Sequence, residues 1–328
     1  MKKRNIALIG LGTALLALYL ANASWMVAPP QGRPTVIAQR GVHQLSNGRD
    51  SGPHTCTAKQ ILPPQHRYIE NTLPSIKAAI NAGADVVEID VRETADGEFI
   101  LFHDATLECR TNGSGAVNQT AFAELKGLDV GYGYSADDGK TFPLRGSGQG
   151  LMTTLDEALR TFPQQRFLVQ LKDGKSAGTN LALYINRRQP AAWKRIALFG
   201  DKPATTALLE LRPDVHVIHD RRAQKCTLGY LGMGWTGHVP KACHGGTVIV
   251  PVTLRNLVWG WPNRFLARMK ASNTEVMMIG SISGLDSSSF TRLDTPEALD
   301  SLPTGFDGLI WTDRIEHVGP AARKRWPR

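Results

Sequence analysis

The sequence has no long block of lysine and arginine, no zinc-finger spacing and no run of interleaved aromatic residues. Aromatics make up only 7% of its 328 residues, so its net charge of +9 comes without the features through which proteins read nucleic acid. No nucleic-acid partner is expected. Cysteine is scarce, four residues with none in a C-x-x-C pair, and neither an internal repeat nor a low-complexity tract interrupts the chain. What is present is globular in kind. Hydrophobic residues at 42% and charged residues at 20% can bury a full core, and one α/β barrel of about 250 residues would account for most of the length. The positive balance then suits a small phosphate ester or an anionic lipid surface. Its densest stretch, Arg323-Lys324-Arg325 with Arg328, reads first as a solvated tail and second as a lipid contact.

Long apolar runs are also rare, and one stands out. Lys2, Lys3 and Arg4 precede a nearly unbroken run from Ile6 to Leu20, followed by Ala21-Asn22-Ala23-Ser24, Trp25 and a Pro/Gly-rich stretch to Pro34. Two readings follow. A signal peptide would end at the Ala-x-Ala site, with Ala23 the last residue removed. An uncleaved anchor would continue through Met26 and Val27, approaching the roughly 20 residues that span a bilayer, with Trp25 in the interfacial belt. Residues 1–27 are therefore assigned to a signal peptide or anchor, 28–34 to a linker and 35–328 to the folded domain. Either reading leaves the domain outside the cytoplasm, periplasmic or extracellular, with a membrane surface as one partner. Cysteines fit that compartment. Of their three pairings we expect Cys56–Cys109 and Cys226–Cys243, the second closing a short local loop. A zinc site at His43, His54, Cys56 and His66 is the competing use, at irregular spacing.

After the linker, short β-branched runs alternate with helical patterns. Candidate strands are Thr35–Ala38, Val86–Val91, Phe99–Phe102, Phe167–Leu171, Ile196–Phe199, Val215–Ile218, Thr247–Val252, Glu275–Ile279 and Gly308–Trp311. Asn71 or Thr72 caps a helix with Pro74 in its first turn and Gly83 as its stop; Thr154 with Glu157 forms a capping box; Thr295-Pro296 opens another helix. Strand alternating with helix predicts a parallel sheet, and this many strands favour a closed (β/α)₈ barrel behind an N-terminal hydrophobic membrane segment. Nine candidates exceed eight positions by one. Asp96-Gly97 supplies a hairpin between the second and third, which would set Asp90 opposite His103.

Chemistry gathers at the early strand ends. Glu88 and Asp90, two apart on a strand, face one side, so one must hold a proton or a cation must lie between them. Oxygen ligands of that kind suit Mg²⁺ or Ca²⁺. His103 can move a proton at neutral pH. Arg40, before Gly41, can grip a phosphate; Glu70 can orient that arginine, and Lys172 ends a strand at the same mouth. The cluster Trp235, His238, His244, Trp259 and Trp261 carries packing or interfacial roles ahead of any substrate contact.

The ordered stretches Ala38-Gln39-Arg40-Gly41, Glu70-Asn71-Thr72-Leu73-Pro74, Gly83 to Val91, Thr94-Ala95-Asp96-Gly97 and Phe102-His103-Asp104 resemble the opening half of glycerophosphodiester phosphodiesterases. Gly305 to Asp313 resembles the family's closing strand. The resemblance implies a TIM barrel that hydrolyses glycerophosphodiesters to glycerol 3-phosphate and an alcohol, using a divalent ion, Mg²⁺ or Ca²⁺, held by three acids beside a histidine pair. It places metal ligands at Glu88, Asp90 and Gln170, the second histidine at His103, the phosphate-binding arginine at Arg40, and supporting polar groups at Glu70 and Lys172. Two positions depart from the pattern. Gln39 stands where the family has its first histidine and Gln170 where it has its third acid, and an amide supplies neither a transferable proton nor a charge. His43, four residues past Gln39, is the candidate replacement imidazole. Two alternatives accompany hydrolysis: a barrel that binds phosphodiesters without cleaving them, and a phospholipase D-like enzyme that closes a cyclic phosphate.

Overall fold

The computed structural model describes residues 2–47, 55–200, 202–281 and 291–327. All nine expected strands form, within two residues of their expected bounds at either end. They are β1 (Thr35–Ala38), β2 (Val86–Glu93), β3 (Phe99–Leu101), β4 (Arg166–Leu171), β5 (Ile196–Gly200), β6 (Val217–Ile218), β7 (Thr247–Pro251), β8 (Glu275–Ile279) and β9 (Leu309–Thr312). The surplus strand is β3, which lies off the main sheet path and pairs antiparallel with β2. The other eight alternate with helices as a (β/α)₈ barrel requires.

Two compact units divide the chain. One comprises residues 36–218 and 311–323, the other 1–35, 219–310 and 324–328. In the first, parallel neighbours run β6, β5, β4, β2, β1. In the second, β7 pairs with β8 and β8 with β9, again parallel. Strands buried on both faces must read as continuous apolar runs, and Val86 to Val91 is buried throughout, with two acids embedded among its valines and isoleucine.

Local signals account for the helices beside the first strands. Thr72 caps the helix Leu73–Ala82, accepting from the Ser75 N–H while the Ser75 hydroxyl accepts from the Thr72 N–H. Ile76 and Ala79 turn to the core, and Gly83 ends the helix. Gly41 has φ +76, and a Cβ there would lie 2.7 Å from Ser75 Oγ, so glycine lets the turn after β1 close onto this helix. Thr154 and Glu157 form the expected capping box on Leu155–Thr161, and Thr295 caps Pro296–Ser301.

The connections between β1 and β2 and between β3 and β4 together build a lobe with an apolar cluster of its own, including Ile61, Ile69, Phe102, Leu107, Leu125 and Tyr134. Cys56 and Cys109 pack against that cluster and are bonded to each other; Cys226 and Cys243 form the second bridge. Cys56 is therefore no thiolate ligand, which removes the zinc reading, and His54 lies outside the described residues. Nor is the C-terminal basic stretch a free tail. Arg323 donates to the carbonyls of Asn81 and Ala82, while Arg325 pairs with Asp300 at 2.8 Å and donates to the Leu302 carbonyl.

Candidate functional site

Parallel registry sets the site out in a row. Ile37 and Ala38 of β1 lie beside Val86 and Val87 of β2, which brings Gln39 next to Glu88; Asp90 is in register with Gln170 of β4. Alternation along each strand then turns Gln39, Glu88, Asp90 and Gln170 to one side, and Lys172, two beyond Gln170, continues the row. Both acids are wholly buried.

Arg40 ties this row together. Its backbone has φ +51, a strained conformation for a residue with a side chain. Three bonds enforce it: its N–H donates to Glu88 Oε2 at 2.9 Å, and its carbonyl accepts from the Asn71 N–H at 3.1 Å and the Ser75 hydroxyl at 3.4 Å. The guanidinium thereby reaches two acids, with Nη1 3.1 Å from Glu70 Oε1 and Nε 3.0 Å from Asp90 Oδ2. Lys172 Nζ stands 3.0 Å from the other oxygen of Asp90. Asn71, itself at φ +57, clamps Asp90 from both ends: its amide donates to Oδ2 at 2.9 Å and its oxygen accepts from the Asp90 N–H.

A second wing runs from Glu70 to the imidazole. Glu70 Oε1 also meets Arg110 Nη1 at 3.0 Å; Arg110 Nε lies 2.9 Å from Asp104 Oδ2; Asp104 Oδ1 lies 2.6 Å from His103 Nδ1. With Nδ1–H directed at a carboxylate, His103 keeps Nε2 as its proton acceptor. A cleft beside this wing is lined by Glu70, Asn71, Phe102, His103, Arg110 and Tyr134.

Charge is divided unevenly between the two acids of β2. Burial raises both, and the outcomes then part. Glu88, facing Asp90 as well, is pushed up to about 8. Asp90 is held well below the usual carboxylate range, because Lys172, Arg40, His103 and the Asn71 amide outweigh its burial. Glu70 goes down too, its burial outweighed by Arg110 and Arg40. Burial and nearby Arg40 lower His103 to about 4, so its ring is neutral at physiological pH. Among the described residues the buried oxygens Glu88 Oε1 and Gln39 Oε1 have no hydrogen-bond partner.

A stability consequence follows for Glu88. Between its unfolded value near 4.3 and its folded value of about 8, only the folded chain holds the proton, so stability falls as pH rises through that window. Glu88→Gln is expected to raise the melting temperature of metal-free protein at pH 8 by several degrees and to change it little at pH 4, as read by thermal melts at both.

The sequence-derived candidates meet here with two adjustments. The hairpin register is one residue off the expected one: Val91 opposes Leu101, and Phe102 N–H donates to the Asp90 carbonyl, so Phe102 rather than His103 faces Asp90. The turn is longer than two residues. Thr94 N–H bonds the Glu98 carbonyl around Ala95-Asp96-Gly97, with Gly97 at φ +75. His103 still lies within electrostatic reach of Asp90 and Arg40, since β3 ends at Leu101 and no pleat constrains its ring. His43 folds back by its own turn: Nδ1 bonds the Gln39 carbonyl at 3.0 Å and Nε2 lies 3.8 Å from Asp313. Asp104, Arg110 and Asn71 act in the network without having been singled out for it. The adjacency of His103 and Asp104 was a usable signal; Arg110 had none. Trp235, His238, His244, Trp259 and Trp261 belong to the other compact unit.

Comparison with known proteins falls on the same segment. Residues 64–204 match the glycerophosphoryl diester phosphodiesterase family model. A glycerophosphodiester phosphodiesterase of Bacillus subtilis is 32% identical over 157 residues, covering 45% of this chain and 46% of that protein. The chain spans less than half the length of the curated relatives it matches. In fold the likeness is wider. A glycerophosphodiester phosphodiesterase from Agrobacterium tumefaciens superposes with a TM-score of 0.57 at 19% identity, over 88% of this chain and 99% of that one. An Oleispira antarctica phosphodiesterase, solved with its product sn-glycerol-3-phosphate, superposes at 0.53 and 20% identity, over 89% and 96%. Through residues 64–204 the chain is similar to the glycerophosphoryl diester phosphodiesterase family, and its fold is similar to the barrel of the solved phosphodiesterases.

Proposed function

We propose that this protein hydrolyses glycerophosphodiesters, free or as lipid headgroups, to glycerol 3-phosphate and an alcohol, on the outer side of a membrane. One observation carries the reading. Two cations, Arg40 and Lys172, and a neutral imidazole already oriented by Asp104 are joined through Asp90 and Glu70 into one network at the strand ends. A phosphodiester is a monoanion that gains charge on its equatorial oxygens as water attacks phosphorus. Arg40 and Lys172 supply the opposing charge, and His103 Nε2 takes the proton of the attacking water. The P–O bond to the alcohol then breaks, and the departing oxygen receives a proton, leaving glycerol 3-phosphate. The apolar helix Lys2–Asn22 and the two disulfides support a location outside the cytoplasm.

A divalent ion, Mg²⁺ or Ca²⁺, is compatible with the donors present. Among the described residues no group of three or more His, Cys, Asp or Glu side chains is disposed around one point for a metal. At the strand ends the buried oxygens Glu88 Oε1 and Gln39 Oε1 nevertheless lack hydrogen-bond partners among the described residues, and both are hard donors. Glu88 and Asp90, completed by the amide oxygen of Gln170, would hold the ion, and it would polarise a phosphoryl oxygen. A neutral amide in the third place weakens the hold. Gln170→Glu is expected to tighten Ca²⁺ or Mg²⁺ about tenfold, measured by titration calorimetry.

The deciding experiment is turnover of glycerophosphocholine by the purified protein with Mg²⁺ or Ca²⁺, followed by release of glycerol 3-phosphate. Product formation that chelation abolishes supports metal-assisted hydrolysis. Saturable binding without product would instead favour a non-catalytic phosphodiester-binding barrel, the reading to which Gln39 and Gln170 lend weight.

A further inference from the structure

The N-terminal helix and the unit that contains it use residues which signal cleavage would discard. Helix Lys2–Asn22 is apolar on every side from Ile6 to Leu20, and its stretch Asn5–Asn22 is unburied and close in length to a bilayer's hydrocarbon core. Its C-terminal end, by contrast, is built into the fold. Arg268 donates from Nη1 to Asn22 Oδ1 and from Nη2 to the Ala21 carbonyl, both at 3.0 Å. Arg264 donates to the carbonyls of Ala23 and Leu20 at 3.4 and 3.5 Å. Asn22 in turn donates its amide to the Trp235 carbonyl at 2.8 Å. Ala23 is buried at 4% exposure.

The next residues continue the joint. Ser24 Oγ accepts from the Asn263 N–H at 2.9 Å, covering one of the donors left open at the start of helix Asn263–Ala271, and the Val27 carbonyl accepts from the Asn263 amide. Arginines at a helix C-terminus satisfy its orphan carbonyls and oppose its dipole. Cleavage after Ala23 would take both acceptors from Arg264. Among the described residues it would leave Arg268 with Tyr230 Oη and the Gly234 carbonyl.

Apolar side chains are exposed around the same joint. Trp25 follows it directly at 69% exposure and donates its indole N–H to Tyr19 Oη. Trp235 is tied to it through Asn22. Trp259 reaches it through Tyr230, whose hydroxyl donates to the Trp259 carbonyl and accepts from Arg268. Singly exposed apolar residues need no explanation. Three tryptophans and a tyrosine gathered where an unburied apolar helix enters a folded unit form the pattern of an interfacial belt.

We infer that helix Lys2–Asn22 is a permanent anchor, clamped to the folded unit by Arg264 and Arg268, and that the surface bearing Trp25, Trp235 and Trp259 rests in the headgroup region of a phospholipid bilayer. The inference extends the proposed extracytoplasmic location, and its test involves no turnover. The full chain is isolated from cell membranes and its intact mass is measured. Retention of the N-terminal segment is expected; a mature chain beginning at Ser24 overturns the anchor. The same protein is then reconstituted into phosphatidylcholine vesicles carrying bromine near the headgroups. Tryptophan quenching is expected, falling by about half in the triple variant Trp25→Phe, Trp235→Phe, Trp259→Phe, since interfacial indoles dominate contact at that depth. Quenching that is absent, or unchanged in the variant, overturns the lipid contact and leaves the surface to a protein partner.

Discussion

His103→Ala is expected to lower turnover by about 10²–10⁴ while leaving the affinity for glycerol 3-phosphate within about twofold. In the proposed reaction binding rests on Arg40 and Lys172, which the substitution does not touch, whereas the proton of the attacking water would lose the acceptor that Asp104 orients. The pH profile separates this role from a structural one. With His103 held down at about 4 by burial and the neighbouring Arg40, the base form persists through the neutral range. Activity on the acid side should therefore fall only as pH drops through that value, and the variant should lose this limb. Stability also falls on the acid side, over a higher window. An unfolded histidine takes its proton below about 6.5 and the folded one not until about 4, so acid in that window favours unfolding, and the variant should be relatively spared there. Wild-type turnover in the variant would remove His103 from proton transfer.

Much of this site was legible because its residues lie on strand ends, where a period of two converts spacing into facing. Glu88 and Asp90 could be read as a pair from their positions alone, and a buried run such as Val86–Val91 is hard to mistake. The five motifs from Arg40 to Asp104 added order to that pairing. What escaped was long-range. The one-residue error in the β2–β3 register came from assuming a two-residue turn at Asp96-Gly97, and the Thr94 hydroxyl, which bonds Asp96 and the Glu98 N–H, sets a wider one. Arg110 has no neighbours in sequence that announce an ion-pair hub. It is brought to Glu70 and Asp104 by a lobe packed on an apolar cluster and cross-linked by a disulfide spanning 53 residues. The second unit was legible as strands and helices but not as an attachment point, since the acceptors that the N-terminal helix offers to Arg264 and Arg268 lie more than 200 residues away in the chain.

Arg110→Met is expected to destabilise the protein by about 3–5 kcal/mol, the range seen when one partner is removed from a buried ion pair. Arg110 is 2% exposed, and its planar group is shared among Glu70, Asp104, the Tyr134 hydroxyl at 3.0 Å and the Thr57 hydroxyl at 2.8 Å. Methionine fills much of the stem's volume and offers none of these donors, leaving Glu70 buried with Arg40 as its remaining ion-pair partner and Asp104 facing the neutral ring of His103. If the loss comes from uncompensated anions rather than from packing, adding Glu70→Gln to Arg110→Met should recover part of it, and denaturant melts of the single and double variants report the difference. A melt unchanged by Arg110→Met would mean that Glu70 and Asp104 do not need the hub. Both sides of the Cys56–Cys109 bridge adjoin this group, Thr57 after one cysteine and Arg110 after the other. The disulfide therefore holds together the two chain segments that fix the guanidinium, and through Asp104 the guanidinium fixes the imidazole on which the proposed chemistry turns.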